Sequence, residues 1–117
     1  MTLKLTPDIL RHAYEFLNSC EPFCRWNLPD SEDVTFKVAK SKSHHGWHNV
    51  KHGRHLIAVS SAGVGHTLSL MATMAHEMIH LHETVAKLTP SNVQHGAAFK
   101  KLAARVCKIH GFDPKTF

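Results

Sequence analysis

His76-Glu77-Met78-Ile79-His80 lies within Thr67 to Leu88, a run with no Gly or Pro. Met71, Met74, Met78, Leu81 and Val85 recur along that run at helical spacing, the pattern of a helix that buries one seam. The run is therefore predicted to be helical from Thr67 to about Leu88, with Pro90 closing it. Residues four apart on a helix share a face, roughly 5–6 Å apart at Cβ. His76 and His80 can thus offer two imidazoles to one Zn²⁺, which takes histidine nitrogen at about 2.0–2.1 Å. Glu77 sits one position round the helix, close enough to act on water beside the metal without becoming a ligand. Zinc lowers the pKa of bound water from about 15.7 towards 7. A carboxylate can then take a proton at neutral pH and later pass it to a leaving amine. Glu77 is the expected catalytic residue, a general base in peptide-bond hydrolysis. Histidine is abundant here, 12 of 117 residues, so the helical setting carries the reading as much as the pentapeptide does.

A catalytic zinc needs a third protein ligand and an open position. Glu83, His95, His110 and Asp113 are the candidates. Glu83 shares the ligand face, but a rise of about 10 Å separates it from His76, which suits a supporting carboxylate or a surface charge better than a ligand. The H-E-x-x-H-x-x-G-x-x-H pattern fails, because Glu83 and Ala86 stand where Gly and the third His belong. His95 is the preferred ligand. It follows a loop containing Pro90, Ser91 and Asn92 and opens the next helical segment, Gly96 to Ile109. His110 and Asp113 lie beyond that segment, about 20 Å from its start.

Working outward, Thr6-Pro7 opens a first helix over residues 7 to about 19, with Ile9, Leu10, Ala13, Phe16 and Leu17 on its apolar face. Val34 to Ala39 alternates as a strand does. Trp47 to Val50 and Arg54 to Ser60 flank His52-Gly53 and read as a hairpin. Gly63 and Gly65 break the chain before the long helix. Helix, small sheet and two helices make an α+β fold, expected as one domain over residues 1–117.

Hydrophobic residues make up 43% of the chain, enough to build a core. The first twenty residues carry Lys4, Asp8, Arg11 and Glu15 and lack the apolar run of a signal peptide. The longest uncharged stretch, Leu56 to Ala75, is too rich in Ser, Thr and Gly to span a membrane. A cytoplasmic protein is expected, with Cys20, Cys24 and Cys107 as reduced thiols.

The formal net charge is +5, and no acidic residue lies between Asp33 and Glu77. Lys37, Lys40, Lys42, Lys51 and Arg54 occupy that stretch, and Lys101, Arg105 and Lys108 lie on one side of the last helix. Such cations can attract DNA, or they simply form solvated faces. The cluster His44, His45, His48, His52 and His55 reads as a patch whose positive charge grows as pH falls through about 6.5, in preference to a second metal site. Trp26 and Trp47 read as packing residues rather than base-stacking platforms. A developing oxyanion needs a donor, and the sequence places neither Tyr14 nor His82 at the metal to serve as one.

Three strings together resemble the SprT-like metalloprotease domain: Ile57-Ala58-Val59-Ser60; Leu70-x-x-Thr73-x-x-His76-Glu77-Met78-Ile79-His80; and His95-Gly96-x-x-Phe99. The resemblance runs from about Trp47 to Phe112. It implies a zincin-like minidomain with an N-terminal helix, a small three-stranded antiparallel sheet, an active-site helix and a C-terminal helix. It also implies His76, His80 and His95 as zinc ligands, Glu77 as catalytic glutamate, and Arg54 to Ser60 as the sheet edge that docks an extended substrate. Spartan-type members degrade proteins crosslinked to DNA, so DNA-associated proteins are the implied substrates. Many members carry a Cys-rich zinc ribbon; only Cys107 stands near this chain's C-terminal helix, so a minimal stand-alone version is expected. The competing expectation is a basic, nucleic-acid-associated zinc-binding module without proteolytic activity.

Overall fold

In the computed structural model, residues 4–62, 67–88 and 93–117 are described, and within these the side chains of residues 67 and 68 are not. The glycines at 63 and 65 and the Pro90-Ser91-Asn92 loop lie outside the described residues.

Helix α1 spans Pro7–Asn18. Thr6 caps it by accepting the Ile9 N–H on its hydroxyl at 3.2 Å, and Pro7 occupies the first turn, where no intrahelical donor is needed. Its buried face is Leu10, Ala13, Tyr14 and Leu17. Short 3₁₀ turns at Phe23–Arg25 and Ser31–Asp33 lead into strand β1, Val34–Ala39.

Strands β2 (Gly46–Lys51) and β3 (Arg54–Ser60) form the expected hairpin. Its two turn residues, His52 and Gly53, have φ of 53° and 75°. Two consecutive positive φ values match the right-handed twist of a tight hairpin.

The sheet corrects two expectations. Its order is β1-β3-β2, with β1 parallel to β3 and β2 antiparallel to it, so it is mixed rather than antiparallel throughout. Arg54 to Ser60 is consequently the central strand and cannot be the docking edge; β1 and β2 are the edges. The cause lies in β3 itself. Ile57, Ala58, Val59 and Ser60 are each 0% exposed, and a strand buried on both faces belongs in the middle of a sheet. The 40–45 connection is tied to the end of β3: Ser60 N–H donates to His45 O at 2.7 Å and the Ser60 hydroxyl to Ser41 O at 2.6 Å.

Helix α2, Thr67–Val85, packs on α1, on β2 and β3, and on helix α3, Ala97–His110. Met74, Met78 and Leu81 are fully buried, as their seam requires, whereas Val85 is exposed. The helix ends short of Leu88. Lys87 takes a left-handed φ of 54°, and Leu88 N–H reaches Glu83 O at 2.9 Å while Lys87 N–H reaches Thr84 O at 3.3 Å. That pair of bonds is a Schellman stop, which satisfies the last carbonyls. Trp26 stacks on His82 at 4.3 Å and meets Phe23 edge-on, a packing role. Among the described residues no helix is long and apolar enough to cross a membrane.

Candidate metal centre

α2 projects His76 and His80 toward His95, which lies just ahead of α3. His95 Nε2 is 3.1 Å from the Nε2 of each partner. One zinc held tetrahedrally at about 2.0–2.1 Å from each nitrogen would place them roughly 3.3 Å apart. His95 Nε2 carries at most one proton, so it cannot donate to both neighbours, and a shared cation satisfies all three nitrogens where hydrogen bonds cannot. These residues fit zinc. His95 holds a φ of 54°, a backbone conformation that costs energy in a residue other than Gly.

Phe99, 5% exposed and one helical turn beyond His95, has its ring centroid 4.8, 4.6 and 4.7 Å from those of His76, His80 and His95. It is an aromatic floor under the trio. The resemblance quoted Phe99, but nothing in the spacing revealed that role.

Glu83 is 6% exposed and its Oε1 lies 3.3 Å from His80 Nδ1. It stands on the far side of the His80 ring from the Nε2 cluster, where a carboxylate orients an imidazole and raises its basicity. His110 is elsewhere, with Nε2 2.7 Å from Glu21 O. Asp113 accepts the Lys115 N–H at 2.9 Å. Of the four candidates for third ligand, only His95 joins the cluster.

Glu77 is 4% exposed and lines the same cleft as the three histidines. Burial pushes its carboxyl up to about 8. Burial, together with His80 and His95, holds His76 down at about 4. His48, on β2, is likewise held at about 4 by burial and then by His55 and His80; its Nε2 lies 3.1 Å from His55 Nδ1. The sequence cluster therefore divides: His48 and His55 pair at the sheet, and His44, His45 and His52 are exposed.

These directions predict the pH response of metal-stripped protein. Below 6.5 the unfolded chain takes protons on His48 and His76 that the folded protein refuses until about 4, so stability falls with falling pH. Above 4.5 the unfolded chain releases the Glu77 proton that the folded protein keeps until about 8, so stability falls with rising pH. His55, His80 and His82 are held below 6.5 as well, so the histidines outweigh the one carboxyl where the windows overlap and the maximum lies above pH 6.5. Denaturant titrations should show wild type losing about 1–2 kcal/mol relative to Glu77→Gln between pH 6.5 and pH 8. A constant difference between the two proteins would contradict the burial of this carboxyl.

Gly46, at the start of β2, lets the strand lie directly on α2. A Cβ there would stand 2.8 Å from Ala58 O and from Thr73 Cγ2, and 3.4 Å from Glu77 Oε2. Gly46→Ala is expected to destabilise the fold by about 1–3 kcal/mol through overpacking, read as a lower denaturation midpoint.

The remaining candidates sit as follows. The Tyr14 hydroxyl donates to Pro29 O and His82 lies under Trp26, and neither lines the cleft that holds the three histidines. Lys37, Lys40, Lys42, Lys51, Lys101, Arg105 and Lys108 are exposed. Arg54 is exposed but donates to Thr35 Oγ1 at 2.7 Å and to Glu32 O, bracing β3 against β1. Cys20, Cys24 and Cys107 are free thiols.

No curated protein matches the chain. The model of the SprT-like family matches residues 13–117, a span that takes in the sheet, α2, His95 and α3 along with the second half of α1. The chain belongs to the SprT-like family, and its fold is that family's metalloprotease-like domain.

Proposed function

We propose that the protein is a zinc-dependent endopeptidase. The observation that carries this reading is the convergence of three imidazole Nε2 atoms beside a buried glutamate in one cleft. His76, His80 and His95 would hold the ion, which supplies Lewis acidity toward a carbonyl and a lowered pKa for water. Glu77 then takes the proton of the attacking water on a carboxylate oxygen. It hands that proton to the amine nitrogen as the C–N bond breaks. The low exposure of Glu77 keeps bulk water from competing for the proton.

The free edge of β2 supplies the docking surface. In a two-residue hairpin the closing pair, Lys51 and Arg54, exchanges hydrogen bonds, and the pattern alternates from there. Trp47, Asn49 and Lys51 therefore bond to β3, and Gly46, His48 and Val50 turn their main-chain N–H and C=O groups outward. An extended peptide can add there as a further strand, and Gly46 lies against Glu77. The exposed lysines suit a polyanion such as DNA near the substrate, and the free thiols suit a reducing cytoplasm. The test is digestion of an unfolded polypeptide by zinc-loaded protein, with and without DNA. Cleavage should stop on chelation and return with zinc. Zinc-loaded protein that binds DNA and cleaves nothing would favour the non-proteolytic binding module.

A further inference from the structure

Gly46, His48 and Val50 share one face of β2. They stand opposite Val59, Ile57 and His55 of β3, and a Cβ on Gly46 would meet Thr73 and Glu77 of α2. Strand side chains alternate, so the His48 imidazole stands on the α2 side of the sheet, about 7 Å along the strand from Gly46. It lines the cleft of the three histidines. His55 stands behind it, outside the cleft lining, with Nδ1 3.1 Å from His48 Nε2 and the two rings stacked at 22°. Burial keeps both imidazoles neutral near pH 7. A neutral pair holds two ring protons, and one of them occupies the bond between the rings. The other is on His48 Nδ1 or on His55 Nε2. An acceptor in the cleft selects the first arrangement, in which His55 donates to His48 Nε2 and His48 donates through Nδ1.

We infer that His48 is the specificity-determining residue of the cleft and selects an aspartate or glutamate side chain in an extended substrate. The inference rests on the endopeptidase reading and on the β2 docking edge. An added antiparallel strand, the more stable pairing, sets one residue opposite Gly46, beside Glu77. The residue two places towards the substrate's N-terminus then falls opposite His48. Opposed residues share a face, with Cβ atoms about 4.5–5.5 Å apart, so that second side chain enters the cleft against the imidazole. Cleavage on either side of the residue at Gly46 makes the acid the second or third residue before the cut. Charge favours the same class. No acidic residue lies between Asp33 and Glu77, and Lys51, His44 and His45 are exposed along this edge. The other carboxylates of the cleft are engaged, Glu83 with His80 and Asp113 with the Lys115 N–H.

The test maps the cuts that zinc-loaded wild type makes in an unfolded polypeptide. It then compares two peptides that differ only in Asp or Leu at the assigned place, side chains of similar shape of which only Asp offers an acceptor. Asp and Glu should be enriched second or third before the cuts. The Asp peptide should be favoured in kcat/KM by about 10–100-fold, the scale of a hydrogen bond to a charged group. His48→Ala should bring that ratio near one, and His48→Glu should shift the preference to a peptide with Lys at the same place. A ratio that survives His48→Ala while both rates fall together marks a structural role and overturns the inference. Cuts placed without regard to acidic residues overturn it with no variant needed. Binding of both peptides to zinc-loaded protein, read by fluorescence anisotropy, separates the two readings. Wild type that binds the Asp peptide more tightly and cuts neither loses the endopeptidase reading and keeps the selectivity. Wild type that cuts both peptides alike sinks the inference alone.

Discussion

Glu77→Gln is expected to lower kcat by about 10²–10⁴-fold while zinc content and fold are preserved. The two side chains are nearly the same size, and the amide cannot accept the proton that the carboxylate takes from water. In metal-free protein burial pushes the Glu77 carboxyl up to about 8. A cation beside it favours the charged form and opposes that shift, so loading the site with zinc also prepares the base. The variant removes a buried ionisable group, so metal-stripped Glu77→Gln should be the more stable protein at pH 8. Turnover, elemental analysis and denaturation together separate the outcomes. Unchanged turnover would end the general-base assignment. Loss of zinc would instead make Glu77 part of the metal site.

His95→Ala should cost about 10²-fold or more in zinc affinity. Structural zinc sites with four ligands bind with about 10–16 kcal/mol, roughly 3 kcal/mol per ligand, and 1.4 kcal/mol is tenfold. Removing His95 also opens the space above the Phe99 ring, which contacts all three imidazoles. Elemental analysis of tag-free protein, after competing metal off the exposed His44, His45 and His52 with a weak chelator, measures the effect. Zinc retained in full would remove His95 from the ligand set. The structure leaves Glu83, His110 and Asp113 poorly placed to replace it, since each makes contacts away from the shared Nε2 cluster.

The legible parts of this chain share one property. Each is set by contacts within a few residues. Pro7 and Thr6 start α1, His52-Gly53 turn the hairpin, and the four-residue interval puts His76 and His80 on one face. The exit of α2 was misplaced because Lys87, and not a Gly, takes the left-handed position. That choice depends on the bonds from Leu88 and Lys87 back to Glu83 and Thr84, which composition does not announce.

By itself the sequence determined the α+β order, the helix that carries His76 and His80 and, through His95-Gly96-x-x-Phe99, the third member of the cluster. Short-range hydrogen bonding and side-chain period decide such features, and both are written locally. Only the tertiary structure decided that β3 is central and that β1 and β2 are the edges, because strand order depends on which strand the whole core covers on both faces. It alone set Phe99 beneath the three imidazoles, Gly46 against Glu77 and Phe117 against His76. Those neighbours come from distant segments, and packing them together is a property of the assembled core that no local pattern encodes.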